Sequence, residues 1–180
     1  MCIRDSLITA IFMGAIGIAL SALFRLKLGW PDDKFPILES ILGSDAAPEG
    51  LLDSNWYLGL VTLHGTIMVF FVLTGGLSGT FSNLLIPLQV GARDMASGLL
   101  NMISYWLFFL SSVLMASSLF IETGPAMAGW TVYPPLSVLA EFQPGSGLGM
   151  TLWLLSVTVF IASSLPVSYT HLTLPTILLV

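Results

Sequence analysis

Four stretches of this chain run for 19 residues or more with no charged side chain: residues 6–24, 54–92, 95–121 and 142–180. A helix advances 1.5 Å per residue, so about 20 apolar residues cross a hydrocarbon core of about 30 Å. Every one of the four runs is close to that length or longer. Only 8% of the 180 residues are charged, where an ordinary soluble domain has about 25%. Mean hydropathy is +0.94. A chain this poor in charge cannot coat a globular surface with polar groups, which excludes a soluble enzyme and a disordered segment. Five Lys+Arg against ten Asp+Glu leave no basic stripe for phosphates, so a nucleic-acid partner is excluded. A single cysteine excludes a disulfide scaffold and a Cys-rich metal cluster.

The remaining class is an integral membrane protein whose first partner is the lipid bilayer. The charge gaps predict an all-α, polytopic transmembrane helix bundle. Its helices are expected near 7–26, 58–88, 99–121 and 147–165, with a polar loop over 27–57. No cleavage-site pattern follows the first run, which reads as a span and not a signal peptide. The 27–57 loop is acidic, while the 89–98 loop carries Arg93, which puts 27–57 outside and 89–98 in the cytoplasm. Gly75-xxx-Gly79 is a spacing that lets helices approach closely.

Against this apolar background the ionisable residues stand out. His64 is the one ionisable side chain of the second expected helix, 58–88. Such a histidine either bonds a neighbouring helix or, as a neutral imidazole, gives a lone pair to a metal or haem iron. Met68, Phe71, Gly75 and Gly79 follow it at α-helical spacing, a face of soft and bare positions that would accept a flat macrocycle. Asp94 beside Arg93 is either a solvated loop ion pair or a proton entrance. Ser97, Asn101, Ser104, Ser111 and Ser118 climb the next helix on one face, as either packing groups or a water file. Arg25 ends the first helix, where a long side chain snorkels to the interface. Trp130 lies in an aromatic, proline-rich turn that also suits the interface.

Several blocks then carry a resemblance: Leu63-His64-Gly65-Thr66, the stretch from Asn83 to Ala96, Ser104-Tyr105-Trp106, and Gly129-Trp130-Thr131-Val132-Tyr133-Pro134-Pro135-Leu136. In order and spacing they resemble subunit I of the haem–copper oxidases, nearest to the cytochrome c oxidase branch. The resemblance covers about residues 7–165 and implies the first four helices of a twelve-helix family fold. It implies that His64 is an axial ligand of the low-spin haem a, its iron being the metal bound. Arg25 would bond the formyl group of that haem, and Trp130 would lie near its propionates. Asp94 would be the mouth of a proton pathway, lined by Asn83, Asn101 and Ser104 and continued by Ser163 and Ser164. The implied reaction is reduction of O2 to water coupled to proton pumping, with cytochrome c as donor and oxidase subunits II and III as partners. Haem a3 and CuB are expected only in a full-length subunit, since the oxygen-reducing site lies outside this segment. The segment alone is expected to be inactive, and the location implied is a bacterial plasma (inner) membrane.

Some positions depart from the family pattern. Arg93 and Met102 replace a proline and an asparagine found in many relatives. Trp56 and Gly59 stand where quinol oxidases of the bo type place a histidine and a glutamine, which favours cytochrome c over ubiquinol. Thr170 occupies a position where the family has asparagine. Residues 1–6 and 166–180 resemble translated sequencing-adapter tails and are expected to be non-native, which discounts His171 as a ligand. Two readings of other classes use the same residues without haem: a proton or ion channel, and a purely structural membrane subunit.

Overall fold

The computed structural model describes residues 2–121, 124–139, 141 and 147–178, with the backbone alone at 2 and 175–178. Met1, Glu122 and residues 179–180 of the expected terminal segment lie outside the described residues. The chain runs through α1 (Cys2–Gly29), a short α2 (Pro36–Leu42) and a 3-10 turn (Pro48–Gly50). Then α3 (Ser54–Thr66) passes through two π-helical stretches, Ile67–Gly75 and Leu77–Ser82, into α4 (Asn83–Val90). Finally α5 (Gly98–Ser117) ends in a 3-10 turn (Ser118–Phe120), and α6 (Leu148–Leu178) closes the described chain. No strand occurs among the described residues. Four segments are long and apolar enough to cross a membrane: Ile3–Gly29, Ser54–Val90, Gly98–Phe120 and Leu148–Leu174.

The local signals for these elements are conventional. Asp53 caps α3 by accepting from the Asn55 and Trp56 amides. Gly91 ends α4 in the left-handed region at φ 74, where Cβ-bearing residues are strained. In the 27–57 loop the Phe35 amide donates to the Gly50 carbonyl, and Lys34 pairs with Glu49. That hydrogen bond, helped by the ammonium charge, holds the Glu49 carboxyl below the ordinary carboxylate range.

Burial follows helical stripes. On α6 the buried positions Trp153, Ser156, Phe160, Ser163, Val167, Thr170 and Leu174 recur at alternating spacings of three and four. On α5 the stripe is Asn101, Ser104, Phe108, Ser111, Met115 and Ser118. The opposite faces are apolar and open, with Ile8, Ile11, Phe12 and Ile18 on α1 all exposed. A soluble protein would have this pattern reversed, and lipid is the solvent that suits it.

The chain divides into two compact units, and each long helix contributes to both. The first comprises Met1–Gly14, Met68–Leu114 and Leu155–Val180. Here α5 and α6 are clasped antiparallel by serines. Ser111 and Ser156 each donate 2.8 Å to the other's carbonyl, and one heptad away Ser104 donates 2.5 Å to Ser163 O. Phe71 is fully buried against Phe108 and Phe160, at centroid distances of 6.0 and 5.3 Å. A Cβ on Gly75 would come within 2.6 Å of the Phe108 ring, so the close approach expected of this glycine is real. The second unit comprises Ala15–Ile67 and Met115–Leu154. Its interior includes Trp153, whose indole donates 3.0 Å to Thr66 Oγ1, and the buried segment Pro125–Ala126–Met127 packed on Gly59.

Three expectations change. The regular α-helical spacing expected below His64 is not kept, because a π-helical stretch begins at Ile67 and a second follows at Leu77. The serine stripe splits in role: Ser111 and Ser118 bond carbonyls of Ser156 and Met115 and serve packing. The first and last helices also overrun their expected ends, beginning at Cys2 and continuing to Leu178 through Pro166 and Pro175. The buried stripe persists past Pro166 through Val167, Thr170 and Leu174, and membrane helices tolerate proline.

The tightest glycine gives a stability test. A Cβ on Gly149 would collide with the Gly124 carbonyl oxygen, whereas one on Gly98 meets nothing within 4 Å. Gly149→Ala is expected to destabilise the chain by about 1–3 kcal/mol, as overpacking does. Thermal unfolding in mild detergent should register this, with Gly98→Ala unchanged.

The Lys34–Glu49 pair gives a pH test. Because the Glu49 pKa is lowered on folding, its stabilisation is complete above the unfolded carboxylate pKa and is lost as pH falls through the folded one. Protection of the Phe35 amide against hydrogen exchange, corrected for intrinsic rate, should fall slightly on acidification through that range. In Lys34→Ala the decline should vanish.

Candidate functional site

Two constellations carry chemistry, one in each unit. The first is built around His64. Its Nδ1 lies 2.8 Å from the Gly17 carbonyl oxygen of α1. A carbonyl cannot donate, so Nδ1 carries a proton, and in the neutral ring the lone pair then lies on Nε2. Among the described residues Nε2 has no hydrogen-bond partner. The two readings of His64 therefore coincide: it bonds a neighbouring helix through one nitrogen and leaves the other free to ligate. This arrangement is what a metal-ligating histidine requires of its surroundings, and the donor set fits haem iron at Nε2.

Phe24 stands edge-on to the His64 ring at 5.5 Å and fixes its plane further. Arg25 follows Phe24, is exposed, and makes no hydrogen bond or ion pair among the described residues. Trp130 is 51% exposed in the turn after Gly129. That turn is tied to α3 because the Gly129 amide donates 3.0 Å to Thr62 Oγ1, two residues before His64. The second unit thus gathers His64, Arg25 and the Trp130 turn.

The second constellation is a polar path in the first unit. Asp94 is exposed and accepts from the Met95 amide through Oδ1. Its carboxylate borders a cavity of about 310 Å³ that also meets Asn83, Asn101 and Tyr105. These last three residues border a second, smaller cavity of about 30 Å³, whose walls include Ser104, Ser163 and Ser164. A cavity holds a water once it offers about 10–15 Å³, so the smaller one has room. Between the two, Asn83 Nδ2 donates 3.1 Å to Asn101 Oδ1. Six residues singled out from the sequence (Asp94, Asn83, Asn101, Ser104, Ser163 and Ser164) thus line two cavities with shared walls.

Other residues enter that sequence reasoning gave no role. Gly17 contributes only a carbonyl, which leaves no side-chain signal to read. Tyr105 borders both cavities, and Thr74 and Ser78 the smaller one. His171, discounted from the sequence, sits with Nε2 2.8 Å from Asn83 Oδ1. Among the described residues no group of three or more His, Cys, Asp or Glu could hold a metal ion.

The family model described as "Cytochrome C and Quinol oxidase polypeptide I" matches residues 2–176. The chain belongs to that family. It is 41% identical over 154 residues to the "Alternative cytochrome c oxidase subunit 1" of Bradyrhizobium diazoefficiens, covering 86% of this chain and 23% of that protein. It is 39% identical over 142 residues to the "Probable quinol oxidase subunit 1" of Staphylococcus aureus, covering 79% of this chain and 18% of that protein. The chain therefore spans about a fifth of the length of these relatives. Family and helices together make it an integral, multi-pass membrane protein of the haem–copper oxidase subunit I class. Its bacterial relatives support a plasma-membrane location.

Proposed function

We propose that this chain is the N-terminal segment of a proton-pumping terminal oxidase, which reduces O2 to water with electrons from cytochrome c. The observation that carries the reading is the His64 ring, held by Gly17 at Nδ1 with Nε2 left as a lone-pair donor. Haem bound there would supply the electron-transfer site. The side chains around it would orient and polarise: Phe24 sets the imidazole plane, Arg25 offers five donors to a formyl oxygen, and Trp130 borders the propionates. Asp94 takes protons from the cytoplasmic side. Waters held in the two cavities would carry them, oriented by the paired amides of Asn83 and Asn101, towards Ser104, Ser163 and Ser164.

Cytochrome c is favoured over ubiquinol by the residues at 56 and 59. Gly59 is buried, and a Cβ there would fall 2.6 Å from Pro125 Cγ, so the position has no space for the glutamine of bo-type quinol oxidases. The Staphylococcus relative keeps the quinol reading as the alternative. Subunits II and III complete the assembly, and haem a3 and CuB belong to the part of the subunit beyond this segment. The segment 7–165 is read as native, with 1–6 and 166–180 as foreign additions.

The gene read from genomic DNA supplies the full-length subunit and is expected to carry other residues at 1–6 and 166–180. In that subunit His64→Ala should abolish the low-spin haem absorbance band while the protein still inserts. An unchanged spectrum would instead favour the haem-free channel or structural reading. The 180-residue chain alone should show no such band.

Asp94→Asn removes the titrating group and leaves its shape. It is expected to slow proton uptake at least tenfold in vesicles, followed with a pH-indicator dye, with the haem spectrum intact. Uptake at the wild-type rate would remove Asp94 from the path.

A further inference from the structure

The two polar cavities of the first unit have three bordering residues in common: Asn83, Asn101 and Tyr105. These shared side chains differ in what they can do with a proton. An amide keeps its donors on nitrogen and its acceptor on oxygen, as separate atoms. A proton received at the oxygen can leave from the nitrogen only through the imidic acid, an unfavourable tautomer. Asn83 is committed further, since its Nδ2 donates 3.0 Å to the Gly79 carbonyl and 3.1 Å to Asn101 Oδ1. The amide pair therefore orients water at the junction and does not itself carry protons across it.

A phenol unites donor and acceptor on one oxygen. It can take a proton from one water while yielding its own to another. One O–H bond forms as the other breaks, and no net charge stays on the ring. Rotation about the C–O bond then resets the group.

Tyr105 is placed for that task. It follows Ser104 directly and lies one turn after Asn101 on α5. Its ring is half-buried, with Trp106 at 5.6 Å and Phe109 at 6.4 Å between centroids, which steadies it. Its hydroxyl has no hydrogen-bond partner among the described residues. That oxygen is not sealed either, because among them Thr80 Oγ1 is the buried side-chain atom that lacks a partner. The phenol oxygen is thus uncommitted to protein and open to water. We propose that Tyr105 is a proton relay whose hydroxyl joins the waters of the two cavities. This inference rests on the oxidase reading and its entrance at Asp94.

The test uses the assembled oxidase with the full-length subunit in vesicles. Tyr105→Phe removes this one oxygen and keeps the ring. Because the hydroxyl bonds no protein group, thermal stability and the low-spin haem band are expected to stay at wild-type values. Proton uptake, followed with a pH-indicator dye, should slow at least tenfold. Tyr105→Leu, which removes the ring as well, should be no slower than Tyr105→Phe. Uptake at the wild-type rate in Tyr105→Phe would overturn the relay, and so would a loss seen only in Tyr105→Leu, which is the mark of packing. Asp94→Asn is measured alongside. If it slows uptake while Tyr105→Phe does not, the relay alone falls. If neither slows uptake, the pathway falls and the relay with it.

Discussion

Hydrocarbon offers no hydrogen-bond partner, and the rest of this structure depends on that constraint. Every backbone N–H and C=O in a span must be satisfied within the chain, which makes each span a helix. The same rule turns the side chains around. Apolar residues such as Ile8, Phe12 and Ile18 can face outwards, while Asn101, Ser104, Ser111, Ser156 and Ser163 are driven inwards to find partners. Buried polarity here is a consequence of the solvent before it is a sign of function. The α5–α6 clasp shows how the constraint resolves: each hydroxyl of Ser111 and Ser156 bonds the other helix's carbonyl, so two polar groups are satisfied and two helices are joined. Membrane hydrogen bonds of this kind are each worth about 0.6 kcal/mol on average, so they set register more than they supply stability.

That rule separates packing serines from candidate pathway residues. Ser111 and Ser118 spend their hydroxyls on carbonyls and border neither polar cavity. Asn101 and Ser104 lie on the same stripe, yet they border open volume. A stripe read by spacing cannot make this distinction, because all its members share one face. What divides them is open volume alone, since Ser104 also donates to a carbonyl of the facing helix, Ser163 O, yet borders the smaller cavity. Near Gly75 and Gly79 missing Cβ atoms keep the wall thin, and both glycines border the smaller cavity.

The spans were legible because charge is costly in lipid and its absence is a long-range signal. The four runs located all four helices to within a few residues, apart from the end of α6. There the buried stripe continues past Pro166, so the residue that signals a stop in water does not act as one. The α-to-π change at Ile67 left no mark, since nothing in a run of apolar residues announces an i→i+5 bond. Gly17 was equally hidden. Its contribution is a carbonyl, which every residue has, and only the fold determines which one faces His64. His64 and Asp94 were legible as candidates because each is ionisable in or beside a span. Their surroundings, not their identities, required the structure.

The change of helical register has a consequence for the candidate haem ligand. His64 lies in the last regular turn of α3, and the π-helical stretch begins three residues later. On either side of it, Thr62 and Thr66 are held by the Gly129 amide and the Trp153 indole. The ligand therefore sits where the helix is tied both before and after it, ahead of the change in register. A π stretch adds a residue per turn and rotates everything downstream relative to an α-helix. Gly75, which accepts Phe108, and Asn83, which bonds Asn101, take their facing from that rotation. Within the first unit the π stretches thus set which positions of this span meet α5, the Gly75 backbone against Phe108 and the Asn83 amide against Asn101.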